Sequence, residues 1–403
     1  MALEIINWWQ DVREHLNVSK RRKRLQQAGR GEDYTGDEYR DTVQRVISRI
    51  HPPRMRLRVT GIIHQTPTAK TFHLERVDGP LPSFRAGQYL NLFVEIGGIR
   101  TSRPYSIASP PPGFRKSGAA AGHNRHALEL TVRHKPTGFV SSYLFHSLEK
   151  GDQVESTGPS GSFYYEPLID GQDLVFLAGG SGITPFMSMI RERIGTDASL
   201  RIHLLYGNRS PEEIIYHDEL TSMAQGYGNF SYSPVISEPP AHYEGLSGFL
   251  DARLIGDQVG EVTGKTFYIC GPGAMYDLCL NALGELGVPL HRIRMEHHGP
   301  PDDITKAPGW PAGVSGDEVF DVVVEGRDAI RAPAAEPLLN TLERNGMRVP
   351  VLCRSGACSA CRIRLLAGRV FMPAHTGLRE SDRIHGYIHA CASYPLEDLR
   401  IRL

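Results

Sequence analysis

The chain has 403 residues, and its 45 Lys and Arg balance its 45 Asp and Glu to a formal net charge of zero. That balance argues against nucleic acid as a bulk electrostatic partner. With 40% hydrophobic and 22% charged residues, it reads as an ordinary globular protein, long enough for roughly two to four domains and without an apolar run of membrane-spanning length.

The opening MALEIINWWQ lacks the basic start, apolar core and cleavage site of a secretory leader, so a reducing, cytoplasmic compartment is expected. Residues 1–53 read as a helical N-terminal extension. Ile5, Trp8, Trp9, Val12 and Leu16 have helical spacing, as do Tyr39, Val43, Val46, Ile47 and Ile50. Thr35-Gly36-Asp37-Glu38 reads as a capping box, and Pro52-Pro53 ends the second helix. Between the two lies the basic run KRRKR (Lys20 to Arg24). It is either a docking element for an acidic partner or membrane surface, or a solvated helix face.

Residues 54–165 alternate apolar and polar positions in RLRVTGII, KTFHLERV, QYLNLFVEI and HALELTVRH, with turn residues between the runs. The alternation predicts an antiparallel sheet or barrel. Pro110 to His123 reads as a surface excursion between two strands. Within the β-rich segment, RPYSIAS offers a planar guanidinium fork (Arg103), a π-face (Tyr105) and a hydroxyl (Ser106). Downstream, GFVSSYL carries Gly138 and Ser141 at Gly-x-x-Ser spacing. R-x-Y-S alone is more often an ordinary strand with a surface arginine. Combined with Gly-x-x-Ser, it resembles the flavin domain of the ferredoxin–NADP reductase superfamily. The resemblance implies an FAD-binding β-barrel. Tyr105 and Ser106 would lie against the isoalloxazine, Arg103 on a phosphate, and Gly138, Val140 and Ser141 on the pyrophosphate. FAD is expected rather than FMN, which has no pyrophosphate to hold.

From about residue 166 to 300, strand and helix alternate, which predicts a doubly wound parallel sheet. DLVFLAGGSGITPFMSMIRE is a strand, a Gly-rich turn (Gly179, Gly180, Ser181, Gly182) and a helix whose N-terminus suits a pyrophosphate. GGSGITP together with CGPGAM resembles the pyridine-nucleotide domain of the same superfamily. That implies a position facing flavin and nicotinamide for Thr184, and one near the nicotinamide C4 for Cys270, followed by Gly271 and Pro272. The other reading of Cys270 is a buried end-of-strand cysteine, and Cys279, mid-helix, reads as core packing. In IRMEHHGPP, Glu296 matches the acid of many relatives, whereas His298 stands where they carry Phe. His298 is either a titratable flavin cover or a surface turn residue. Ser106, Thr184, Cys270 and Glu296 form the expected hydride-transfer set.

Residues 301–316 read as a Pro/Gly-rich linker to a last domain, 317–403. There, EVFDVVVEG predicts a strand, PLLNTLERNGMRVPVL a helix running into a loop, and CRIRLLAGRV a strand leaving it. The loop CRSGACSACR places Cys353, Cys358 and Cys361 in C-x4-C-x2-C spacing, with Cys391 well downstream. Neighbouring thiols seldom reach disulfide geometry, and three cannot pair evenly. Zinc is a second alternative, although its sites usually present two short ligand pairs. A tight triplet plus one distant cysteine is plant-type [2Fe–2S] spacing. With GYIHACASYPLEDLRI around Cys391, the segment resembles a plant-type ferredoxin domain, which implies a β-grasp fold. It departs from that family in charge, holding 11 acidic residues, 12 arginines and no lysine.

The resemblance covers residues 54–403 and implies an electron path from NAD(P)H through FAD to a [2Fe–2S] cluster. A downstream electron-accepting protein, such as an oxygenase or another metalloenzyme, would complete it. Nicotinamide gives up two electrons together and a cluster accepts one at a time, so a flavin must stand between them. The alternative is a redox sensor or regulatory flavin and iron–sulfur binding module. NADH is slightly favoured over NADPH. Relatives that use NADP often place Ser-Arg after the third strand of the nucleotide domain; here the pair is Ser237-Glu238, opposed by Arg209 at the end of the second strand.

Overall fold

A computed structural model describes residues 54–112, 127–297, 299–301, 303–373 and 376–403. The expected helical extension with its KRRKR run, the Pro110–His123 loop beyond Pro112, and His298 lie outside the described residues. Counts of elements refer to the described residues.

In β1 (Met55–Thr66), Met55, Leu57 and Val59 are buried while Arg56 and Arg58 are exposed. This period of two turns one face of a strand inward. With β2 (Ala69–Arg76), β3 (Tyr89–Ile96), β4 (Ile99–Ser106), β5 (Ala127–Arg133) and β6 (Gln153–Ser156), it forms an antiparallel sheet in the order β4-β3-β6-β1-β2-β5. A bridge between Ile107 and Leu130 joins the strip beyond β4 to β5, so the two edges meet. Leu57, Phe72, Leu90, Ile107 and Leu130 fill the interior. Helix α1 (Phe139–Ser147) adds Val140 and Leu144.

The second sheet contains β7 (Asp173–Gly179), β8 (Arg201–Asn208), β9 (Phe230–Ile236), β10 (Leu246–Ser247), β11 (Thr266–Cys270) and β12 (Ile293–Met295). Its order is β10-β9-β8-β7-β11-β12, and every pair is parallel. Strand β7 buries both faces, as parallel strands covered by helices do. Leu174, Phe176 and Ala178 pack with Phe186 and Ile190 of the helix Ile183–Arg193. Val175 and Leu177 pack on the other face with Cys279 and Leu283 of the helix Gly273–Glu285.

A buried polar seam joins these two sheets. Arg191 donates to Glu129 Oε2 on β5 at 2.6 Å, to the Ala108 carbonyl at 2.9 Å and to both Glu219 oxygens at 2.6 and 2.8 Å. Burial opposes the Arg191 charge, but its bonds to Glu219 and the field of Glu129 outweigh that effect and raise its pKa. Ser188 Oγ donates to the Ser109 carbonyl across the same seam, at 2.7 Å.

The third sheet is mixed, with β13 (Val319–Val324), β14 (Ala329–Pro333), β15 (Arg362–Ala367), β17 (Tyr387–His389) and β19 (Leu399–Arg402) in the order β14-β13-β19-β15-β17. Strands β16 (Val370–Phe371) and β18 (Tyr394–Pro395) form a small ribbon beside it. Ile363, Leu399 and Ile401 point inward, while Arg362, Arg364, Arg400 and Arg402 point outward. The arginine excess of this segment therefore lies partly on a solvent-facing sheet surface. The predicted helix is short: Leu338–Arg344 ends at Asn345, and Gly346, with φ 70°, turns the chain away.

Candidate functional site

Strand β4 carries Arg103, Tyr105 and Ser106, in register with Leu92, Leu90 and Tyr89 of β3. Tyr105 is half-buried against the first sheet's core. Arg103 Nη1 donates to Thr101 Oγ1 at 2.9 Å and to the Ser102 carbonyl at 2.7 Å. Burial, and then the neighbouring Arg354, push the Arg103 pKa down to about 10. An anion beside this guanidinium would relieve the cost of burying its charge.

Gly138 caps α1, whose first turn has no side-chain cap and no acidic residue. The unpaired amides and positive end of such a helix suit a phosphate group. A Cβ on Gly138 would lie 2.2 Å from Ser141 Oγ and 2.9 Å from Lys135 Cβ, so a larger residue would have to push these side chains aside. Ser141 Oγ accepts the Lys135 N–H at 3.2 Å and donates to the Gly138 carbonyl at 3.4 Å. Val140 is buried behind this turn.

The second Gly-rich turn meets the loop after β11. Gly180 has φ +51°, and a Cβ on Gly182 would lie 2.1 Å from the Cys270 carbonyl oxygen. A Cβ on Gly179 would lie 2.7 Å from Pro272, and one on Gly271 would lie 3.2 Å from Gly179 Cα. GGSG and CGPG, distant in sequence, thus face each other at van der Waals distance. Thr184 is buried and donates to the Ser181 carbonyl at 3.0 Å. Cys270 is fully buried at the strand end, in register with Ala178 of β7.

Glu296, just past β12, is buried, and its amide donates to the Ile269 carbonyl at 3.2 Å. Its Oε2 accepts from Ser106 Oγ at 3.5 Å, which joins the end of β4 to the end of the parallel sheet. Tyr276, which the sequence reading missed, holds the Glu296 carbonyl through its hydroxyl and stacks at 4.1 Å on His297. Arg133 was missed as well. Its Nη2 donates to Glu213 Oε2 at 2.5 Å, and its Nη1 stands where a Cβ on Gly180 would fall. Tyr276 lies just past the CGPGAM motif and Arg133 stands near the end of the alternating run HALELTVRH, and neither spacing tells what the side chain will meet. Arg209 and Glu238 are exposed and bonded to each other at 2.9 Å.

The cluster loop brings the four cysteines together. Cys353, Cys361 and Cys391 are buried and Cys358 is exposed. Cys361 Sγ lies 3.2 Å from Cys391 Sγ. The amides of Ser355 and Cys358 both donate to Cys353 Sγ, at 3.4 Å. Arg354, Gly356 and Ser359 all have positive φ, which curls the loop around the sulfurs. A Cβ on Gly356 would press on Ala392 and Thr376 at 3.0 Å. Contacts from Cys358 and Cys391 draw the Cys353 thiol pKa down, and Cys391 does the same to Cys361. These same contacts push Cys358 and Cys391 up, as expected when neighbouring sulfurs share protons. Among the described residues, no three His, Cys, Asp or Glu side chains surround one metal position. The loop instead offers thiolates and inward amides, the donor set of an iron–sulfur cluster.

Fold and site together define a flavin-dependent electron-transfer protein with nucleotide and iron–sulfur domains. Residues 60–165 match an oxidoreductase FAD-binding domain, 176–280 an oxidoreductase NAD-binding domain, and 322–396 a 2Fe-2S iron-sulfur cluster binding domain. The chain is 32% identical over 248 residues to ferredoxin–NADP reductase B of Sorangium cellulosum, covering 60% of this chain and 96% of that one. It is 29% identical over 359 residues to the glycine betaine monooxygenase reductase subunit of Pseudomonas aeruginosa, covering 86% and 94%. The structure of phthalate dioxygenase reductase shares the fold, with a TM-score of 0.62 at 23% identity, over 87% of this chain and 98% of that one. The chain belongs to the ferredoxin–NADP reductase superfamily, with a 2Fe–2S ferredoxin domain at its C-terminal end. It is an NAD(P)H-dependent electron-transfer oxidoreductase using FAD and a [2Fe–2S] cluster. Bound flavin supplies the exchange between two-electron and one-electron chemistry.

Proposed function

We propose that this reductase delivers electrons to an oxygenase. The observation that carries the reading is the double engagement of β4. Five residues apart on one strand, Ser106 reaches Glu296 of the nucleotide side and Thr101 reaches Glu343 of the ferredoxin side, at 3.5 and 2.8 Å. A flavin held on that strand stands between hydride donor and cluster. The monooxygenase reductase subunit of P. aeruginosa, aligned over 86% of this chain, supports the choice of acceptor.

In this reading, residues 54–165 close into the FAD-binding barrel, 166–300 bind the nucleotide, 301–316 link, and 317–403 form the ferredoxin β-grasp. Arg103, Gly138, Val140 and Ser141 hold the FAD phosphates, and Tyr105 covers the ring. Gly179 to Gly182 and the Gly271-Pro272 turn hold the dinucleotide. Thr184 and Cys270 orient the nicotinamide, while Ser106 and Glu296 border the flavin's reactive edge. Cys353, Cys358, Cys361 and Cys391 ligate the cluster, and NADH is the preferred donor. Among the described residues, no helix is long and apolar enough to cross a membrane, and a cytoplasmic location is part of the proposal.

The test is reconstitution with an oxygenase captured from the same cells by co-purification. NADH oxidation should accelerate with that oxygenase and its substrate, with matching oxygen uptake. Transfer only to non-oxygenase metalloproteins would overturn the assignment of the acceptor.

A further inference from the structure

Arg354 follows the first cluster cysteine and has φ 54°. A residue with a Cβ is disfavoured there and persists where its surroundings hold it. Its side chain is buried, and its Nη1 donates to Asn340 Oδ1 at 3.1 Å. Nη2 donates to Glu343 Oε1 and, at 3.0 Å, to Thr101 Oγ1 of β4.

A threonine hydroxyl has one proton to give and two lone pairs to accept with. Thr101 uses all three. It donates to Glu343 Oε2 at 2.8 Å and accepts from Arg354 and, at 2.9 Å, from Arg103. Two guanidiniums therefore converge on one oxygen, and Glu343 supplies the charge that lets them. Beside this node, fully buried Asn91 on β3 donates to the Val351 carbonyl at 2.9 Å and to Ser102 Oγ at 3.0 Å. The cluster loop is thus tied to the flavin strands by directional bonds to buried groups.

We infer that Arg354 and Glu343 are positioning residues. With Thr101 they latch the cluster loop onto β4 and thereby set the rate at which an electron leaves reduced FAD and enters the [2Fe–2S] cluster. This rests on the reading of the chain as an FAD and iron–sulfur reductase. The latch does not touch Ser106, Thr184, Cys270 or Glu296, so it acts on the second step. Its one tie to the flavin side is the bond from Arg103 to Thr101, and flavin content is therefore measured in each variant.

The test uses purified holoprotein with flavin and iron content measured. Glu343→Gln keeps the shape and removes the charge; Thr101→Val removes the hydroxyl; Thr101→Ser restores it. In Glu343→Gln, NADH–ferricyanide turnover should match the parent, while single-turnover flavin-to-cluster transfer slows about tenfold. Amides 354–359 should exchange hydrogen faster. Thr101→Val should slow transfer similarly, and Thr101→Ser should return to the parent rate. Parent-like transfer rates and amide protection in both Glu343→Gln and Thr101→Val would overturn the latch. A parent without a [2Fe–2S] signal on reduction would instead overturn the reductase reading beneath it.

Discussion

Ser106 Oγ donates to Glu296 Oε2 at 3.5 Å although 190 residues separate them. Both are buried, one at the end of an antiparallel strand and the other just past a parallel one. In the proposed function this pair borders the reactive edge of the flavin, and the serine hydroxyl would serve the hydride step. Ser106→Ala should slow flavin reduction by NADH roughly 100-fold with flavin content unchanged. Stopped-flow absorbance at the flavin band measures this, and a rate within twofold of the parent would remove Ser106 from the hydride step.

Replacing Cys353, Cys358, Cys361 or Cys391 with Ala should in each case abolish the cluster and leave the flavin. Cluster iron requires thiolate ligands at this spacing. Ferricyanide accepts directly from flavin, so NADH–ferricyanide activity should survive while cytochrome c reduction falls sharply. Iron and sulfide analysis decides it. A variant with full cluster content would show that its cysteine is not a ligand. Cys279, whose thiol is pushed up to about 12 by burial, is core, and Cys279→Ala should retain both activities.

Arg209 and Glu238 raised opposite expectations about the nucleotide, and the structure pairs them with each other at 2.9 Å. Glu238 takes up only Nε of Arg209, so a 2′-phosphate drawn to Arg209 would also meet the Glu238 charge, whereas a 2′-hydroxyl would not be repelled. The parent should therefore prefer NADH, and Glu238→Arg should move the kcat/KM ratio towards NADPH by about tenfold. A parent that prefers NADPH by that factor would sink the idea.

The Glu129–Arg191 pair is 2.6 Å long with both side chains only 6% exposed. Removing the Glu129 charge leaves Arg191 paired with Glu219 alone in the seam between the flavin and nucleotide sheets. Glu129→Gln, which keeps an acceptor, should cost about 1–3 kcal/mol, read as a lower midpoint for thermal flavin release. A shift no larger than that of an exposed-pair control such as Arg201→Gln would show that the seam tolerates the loss.

The cluster loop, the R-x-Y-S strand and the two Gly-rich turns were legible in the sequence because each is a local device. Ligand spacing in one loop, a period of two in one strand, and glycines where backbone must approach closely are all written within a few consecutive residues. The short helix Leu338–Arg344 was overextended because its apolar positions recur past Asn345-Gly346, where the glycine turns the chain away at φ 70°. What only the tertiary structure decided are the partnerships between distant segments: Arg209 with Glu238, Tyr276 with Glu296, Arg191 with Glu129, and Arg354 with Thr101 across 253 residues. A buried charge or hydroxyl must find a partner, but any polar residue that packing brings within 3 Å or so can serve. Such a pairing leaves no periodicity behind, so the sequence supplied the groups and the docking of three sheets chose which of them meet.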